Sequence, residues 1–201
     1  MAEPLKNPLP KTTPHADVFS AKRTGMPGQG GEQKKRQKAA SEYKKSLREK
    51  QTLKRLYGLS ERQFKRYVME TLEKMGRVQN VSDELIKRLE KRLDNAVFRL
   101  GFAKTRAHAR QLVNHAYFLV NKKAVNIPSY QVQKGDVISV KETKKKKGAF
   151  KELPAQLKKL KTHAWFNLDN DELSAVAVGE PSLAEVNPPV EISLIFEFYS
   201  R

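Results

Sequence analysis

Apolar and polar positions follow different rules in successive parts of this chain. Residues 1–40 are rich in Pro, Gly, Lys and Gln and carry no helical or strand periodicity, so they read as an extended, disordered tail. From Ser41 to Tyr57, Tyr43, Leu47, Leu53 and Leu56 punctuate a basic helix closed by Gly58. Ser60-Glu61-Arg62-Gln63 is a capping box. It predicts a second helix with Phe64, Val68 (or Tyr67), Leu72 and Met75 as its stripe and Gly76 as its end. A third helix is predicted from a Ser82 cap to Gly101, on the stripe Leu85, Leu89, Leu93, Ala96, Val97 and Leu100. Asp83 and Glu84 suit its positive end. Thr105 caps a further helix that buries Ala107, Leu112 and Val113.

The pattern then shortens. Tyr117–Val120 and Ala124–Ile127 form a hairpin around Asn121-Lys122-Lys123, and Gly135-Asp136 turns into a strand at Val137–Val140. Ala175–Val178 and Val190–Phe198 read as strands or buried segments. The expected fold class is α+β.

Charge narrows the partner. The net charge of +18 calls for an anion: nucleic acid or an anionic membrane. No apolar run approaches a membrane span. Met1–Pro14 has four prolines and no apolar core, unlike a secretory signal. Glu3, Asp17 and scarce arginine argue against an organellar transit segment. Without cysteine there is no disulfide and no thiolate metal site, and cytoplasm is the simplest compartment. The charge is also segregated. Lys22–Arg66 holds 15 basic and 4 acidic residues, whereas His163–Arg201 holds 1 basic and 7 acidic. The last region should therefore face something other than RNA.

Candidate chemistry is cationic. Arg106 and Arg110 are four apart on one helix face, Lys104 stands at its entrance, and Lys122 and Lys123 tip the hairpin. Arg48, Lys54, Arg55, Arg62, Lys65 and Arg66 are the phosphate-contact candidates of the first two helices. Tyr67 could stack on a base, although a Tyr at that spacing is more often core. Lys144–Lys147 reads as a solvated loop that touches RNA nonspecifically. Gly25–Gly31 lacks the Gly-Lys-Ser/Thr ending of a phosphate loop, so no nucleotide site is expected. His15, His108, His115 and His163 lack metal spacing, and no metal, cofactor or small-molecule substrate is expected.

The order Arg92-Leu93-Asp94-Asn95, Arg99-Leu100-Gly101-Phe102-Ala103, Arg106, Ala109-Arg110-Gln111-Leu112-Val113, Leu119-Val120-Asn121, Ile127 to Val132 and Gly135 to Ile138 resembles the RNA-binding domain of the small-subunit ribosomal protein four family. Ser41-Glu42-Tyr43, Leu47 to Gln51, Tyr57-Gly58, Gln63 to Tyr67, Trp165 to Asp169 and Leu194 to Arg201 resemble the same family. The similarity runs from about Lys22 to Arg201. Two departures, Ala116 for the usual Gly and Lys122 where Asn-Gly is usual, leave the hairpin turn type open.

The resemblance implies four parts. Residues 1–40 are an extended basic tail. Residues 41–91 are a helical domain, completed discontinuously by about 192–201. Residues 92–156 are a small RNA-binding α/β domain with a mostly antiparallel sheet. Residues 157–191 are an acidic and apolar extension packed on it. The resemblance extends the RNA-facing set to Gly28, Gln29, Gly30, Lys34, Lys35, Arg36, Arg92, Arg99, Thr105, Gln111, His115, Ser129, Tyr130 and Gln131.

It also implies binding to the 5′ domain of 16S rRNA, a role in small-subunit assembly, a place at the mRNA entry channel, and contact with ribosomal protein five at an interface that affects accuracy. No cysteine is present for the zinc cluster of some relatives. Arg92-Leu93-Asp94 also occurs in pseudouridine synthases, but here Asn95-Ala96-Val97 follows and no stretch remains for a catalytic domain, so Asp94 is read as structural and the chain as no enzyme. The alternative is a heat-shock or ribosome-rescue factor that shares the small domain; such factors lack the helical first domain.

Overall fold

The computed structural model describes residues 42–145 and 163–200, with Phe150, Leu153 and Leu157 between them. The tail candidates Gly28, Gln29, Gly30, Lys34, Lys35 and Arg36 lie outside the described residues, as do Lys146 and Lys147 of the lysine run.

Helices α1 (Glu42–Leu56), α2 (Glu61–Leu72) and α3 (Val81–Glu90) open the described chain. The capping box at the start of α2 forms in both directions: Ser60 Oγ accepts from Gln63 N, and Gln63 Oε1 accepts from Ser60 N. Helix α2 ends at Leu72, short of the expected Met75, which is exposed. Asn80, not Ser82, caps α3, accepting from the amides of Ser82 and Asp83.

The long apolar stripe from Leu85 to Leu100 is buried as the sequence predicts, but it spans two helices. Arg92 is extended between α3 and α4 (Leu93–Arg99). The backbone of residues 128–132 meets the chain at this break, with an isolated antiparallel bridge between Arg92 and Gln131. The amides of Leu93 and Asp94 donate to the carbonyls of Tyr130 and Pro128, and Val132 N donates to Lys91 O. Backbone from residues 128–132 thus satisfies part of the first turn of α4, where no side chain caps it.

Helix α5 (Arg106–Asn114) is capped by Thr105, whose side chain accepts from His108 N. Strands β1 (Phe118–Val120), β2 (Lys123–Ala124), β3 (Val137–Val140), β4 (Phe166–Asp169) and β5 (Ser174–Ala177) make one sheet in the order β2-β1-β3-β5-β4, antiparallel throughout. Helices α6 (Glu142–Lys145) and α7 (Leu183–Val186) are single turns. Ala116, Asn121 and Lys122 all have positive φ, at 52°, 49° and 65°. The hairpin therefore uses the turn that two left-handed central residues define, in spite of the missing glycines. Asp136 is buried and accepts from Asn121 Nδ2 (2.7 Å) and Gln133 N (2.8 Å), while Asn121 Oδ1 accepts from Val137 N. The Gly135-Asp136 turn and the hairpin tip are tied to each other by this pair.

Two apolar cores result. One joins Leu93, Val97, Ala109 and Val113 of α4 and α5 to Phe118, Ile138, Val140, Ala175 and Ala177 of the sheet, with Phe150, Leu153 and Leu157 beside them. Strands β4 and β5 of the acidic region extend the sheet, β5 pairing with β3. The other core joins Leu53, Phe64, Val68, Leu85, Ile86 and Leu89 to Ile192, Ile195 and Phe196 of α8 (Ile192–Ser200). The segment read as strand or buried is a helix. Its buried residues recur three and four apart, which packs against helices and not into a sheet.

Helix α8 is locked by charge as well. Lys50, nearly buried, donates to Glu61 (2.6 Å) and lies 4.6 Å from the Phe198 ring centroid. Tyr199 Oη donates to the same carboxylate at 2.8 Å. Burial would raise the Glu61 pKa, but Lys50, Tyr199 and Lys54 outweigh it and hold the carboxyl down at about 2.

Candidate nucleic-acid interface

The arginines singled out from sequence fall into two structural populations. One is turned inward. Asp94 is 2% exposed. It accepts two bonds from Arg92 (3.1 and 2.8 Å) and one from Arg110 Nε (2.9 Å). The third Arg92 nitrogen, Nη1, donates to Tyr67 Oη at 2.8 Å. Arg110 continues across the chain: Nη2 donates to Tyr57 O at 2.9 Å and Nη1 donates to Gly58 O.

Glu90, 1% exposed, is the second buried carboxylate. It accepts from Arg99 Nε and Nη2 (2.9 and 2.7 Å), from Tyr57 Oη (2.6 Å) and from Asn95 Nδ2. Burial alone would raise its pKa; Arg99, Tyr57 and Asn95 hold it below the ordinary carboxylate range. Burial, then Glu90, pushes the Tyr57 hydroxyl well up, so it stays a donor. Arg106 donates to Asn95 Oδ1 at 2.7 Å and lies over the rings of Tyr57 and Phe98. Arg99 Nη1 faces His163 Nε2 at 3.4 Å, and His163 stacks on Trp165 with ring centroids 4.6 Å apart. Burial, then Arg99, lowers the His163 pKa.

Arg92, Arg99, Arg106 and Arg110, all expected to face RNA, make these contacts within the protein. Asp94 and Glu90 are paired with Arg92, Arg110 and Arg99 because isolated charge is not tolerated in a dry interior, while Arg106 donates to the Asn95 amide oxygen. The elements so joined are the α1–α2 corner, α2, α3, α4, α5 and the segment before β4. Asp94, read as structural, is structural, and its partners are Arg92 and Arg110. Tyr67, 4% exposed, is core and not a stacking platform. Ser129, Tyr130 and Gln131 are half-buried, and their backbone serves the start of α4.

The other population faces outward. Arg48, Arg55, Arg62, Lys65 and Arg66 are exposed on α1 and α2. Lys104, Thr105, Gln111 and His115 are exposed along α5, although the Thr105 hydroxyl is engaged as its cap. Lys122 and Lys123 are exposed at the hairpin tip. Of the cations in this group only Arg66 pairs with a carboxylate among the described residues, loosely, 3.7 Å from Glu70. Lys54 is half-buried and paired with Glu61 at 3.0 Å.

Sequence reasoning missed Glu90, Tyr57, Asn95 and Lys50. A Glu ending one apolar stripe among Lys and Arg has no signal of burial; only its convergence with Arg99 and Tyr57 in space gives one. Among the described residues no group of His, Asp and Glu could hold a metal ion, and no helix is long and apolar enough to cross a membrane.

Fold and charge together define a polyanion-binding scaffold of α+β class, with cations outside and a buried ionic joint between two cores. A family profile described as "Ribosomal protein S4/S9 N-terminal domain" matches residues 4–90, and one described as "S4 domain" matches residues 91–138. The small ribosomal subunit protein uS4 of Caldicellulosiruptor saccharolyticus is 45% identical over 90% of this chain and 84% of its own length. That of Thermotoga maritima is 43% identical over the same shares. That of a Sulfurihydrogenibium species is 43% identical over 96% of this chain and 97% of its own length. The chain belongs to the uS4 family of small ribosomal subunit proteins. That family is structural and non-enzymatic.

Proposed function

We propose that the chain is a constituent of the small ribosomal subunit that binds the 5′ domain of 16S rRNA directly and helps nucleate subunit assembly. The observation that carries this beyond family membership is the set of exposed cations Arg48, Arg55, Arg62, Lys65, Lys104, Lys122 and Lys123, for which no carboxylate partner lies among the described residues. Such cations suit phosphates, and side chains cannot read bases in the deep major groove of an RNA duplex. Gln111 and His115 extend the α5 face with hydrogen-bonding groups. Domain boundaries follow the two cores: the helices with α8 form one, and α4, α5 and the sheet form the other.

The acidic stretch from Asp169 to Glu191 is the face for a protein partner, since RNA would repel it. Ribosomal protein five is that partner on this reading, and accuracy and the mRNA entry channel follow from the same placement in a cytoplasmic subunit. The α1–α2–α8 core favours this over a heat-shock or rescue factor, which would lack it.

The test is binding to the isolated 5′ domain across salt. A steep loss of affinity is expected, with each of Arg62→Gln, Lys65→Gln and Lys104→Gln lowering the logarithmic slope by about 0.7–0.9. A flat slope, or equal affinity for unrelated RNA, would sink the reading. Cross-linking within assembled subunits should place residues 169–191 on protein; finding them on RNA alone would refute the partner assignment.

A further inference from the structure

Arg110 joins parts of the chain that are far apart in sequence. It sits on α5, beside the exposed Lys104, Gln111 and His115. Its guanidinium spans from Asp94 on α4 to the carbonyls of Tyr57 and Gly58 at the α1–α2 corner, 53 and 52 residues away. That corner follows Arg55 and precedes Arg62, Lys65 and Arg66. Gly58 has φ +60, and a Cβ there would stand 3.4 Å from Arg110 Nη1, so the guanidinium fits closely against the turn. Each guanidinium nitrogen of Arg110 donates to a protein acceptor, and two of those acceptors are backbone carbonyls.

We infer that Arg110, held by Asp94, is a positioning residue that fixes the spacing between the cationic face of α1 and α2 and that of α5, so the chain prefers an RNA whose two phosphate tracks are held at one separation. The inference rests on the RNA-binding reading above and adds a source of selectivity to it. Cations alone bind any phosphate; selectivity for a folded RNA requires that two sets of them keep a set distance. A planar guanidinium can donate to Asp94 and two carbonyls together, whereas the point charge of an ammonium cannot hold that geometry.

The experiment measures the full chain against a folded multi-helix rRNA fragment and against a plain RNA duplex of equal length, across salt. Arg110→Met and Arg110→Lys are compared with the parent, and circular dichroism confirms that each variant is folded at the assay temperature. Both variants should lose affinity for the folded RNA by about tenfold or more. Duplex affinity and both salt slopes should stay unchanged. If Arg110 touched phosphate instead, Lys would restore binding and Met would lower both slopes by about one; either result overturns the inference. Unchanged affinity for both RNAs in the variants also overturns it. If the parent itself fails to prefer the folded RNA, the RNA-binding reading fails first, and that outcome is visible before any variant is made.

Discussion

Replacing Asp94 by Ala removes the carboxylate that Arg92 and Arg110 share. The Arg92 side chain is 3% exposed, so water cannot take over. Arg110, at 27%, can rehydrate in part. Breaking a buried pair by deleting one partner costs about 3–5 kcal/mol, mostly the penalty of the stranded charge. With a urea slope of about 2 kcal/mol/M, the midpoint should fall by about 2 M. Trp165 is the one tryptophan and is buried in the sheet core, so its fluorescence follows that core, while far-ultraviolet circular dichroism follows the helices. Coincident transitions license the two-state reading. The double variant Asp94→Ala with Arg92→Met removes both charges and should recover half or more of the loss, because the residues couple directly. A loss below about 1 kcal/mol for Asp94→Ala, or a double variant as unstable as the sum of the singles, would refute the account of a charge made tolerable by its partner.

Further outcomes follow from the same geometry. Glu61 is held down at about 2 against an ordinary value of 4.5, so its stabilisation is present above pH 4.5 and is lost as pH falls toward 2. Glu61→Gln should flatten that part of the acid limb in urea midpoints; identical limbs would remove Glu61 from the account. Ile195 is fully buried in α8, and Ile195→Ala should cost about 2–5 kcal/mol. Hydrogen exchange should then show α1 and α2 amides losing protection before those of β3. Ala116 and Lys122 hold positive φ without being glycine, so Ala116→Gly and Lys122→Gly should each raise stability by about 0.5–1 kcal/mol in thermal melts. A fall in melting temperature at both positions would deny backbone strain at the α5 end and at the hairpin turn.

Much of the local architecture can be read along the chain. Ser60 and Gln63 cap each other as a four-residue signature predicts, and Thr105 caps α5 because a short hydroxyl side chain there reaches the amide of His108. The stripe Leu85–Leu100 is buried because burial follows apolar spacing. The break at Arg92 is not in that spacing, because it is made by carbonyls of Pro128 and Tyr130, more than 30 residues away. The helical form of Ile192–Ser200 was equally hidden: a short apolar run fits strand or helix, and only packing on α1 decides.

By itself, the sequence determined that the chain is basic, cysteine-free, mixed α and β, and divided into a cationic part and an acidic part, since composition and short-range spacing are local properties. It could not assign charges to solvent or interior. Arg62 and Arg110 look alike in a string of residues, yet one is exposed and the other bridges Asp94 to Tyr57 and Gly58. Only the tertiary structure decided which cations are taken up by protein groups and which stay exposed. An arginine's role depends on the carboxylates and carbonyls that folding brings within about 3 Å of it, and those come from distant parts of the chain.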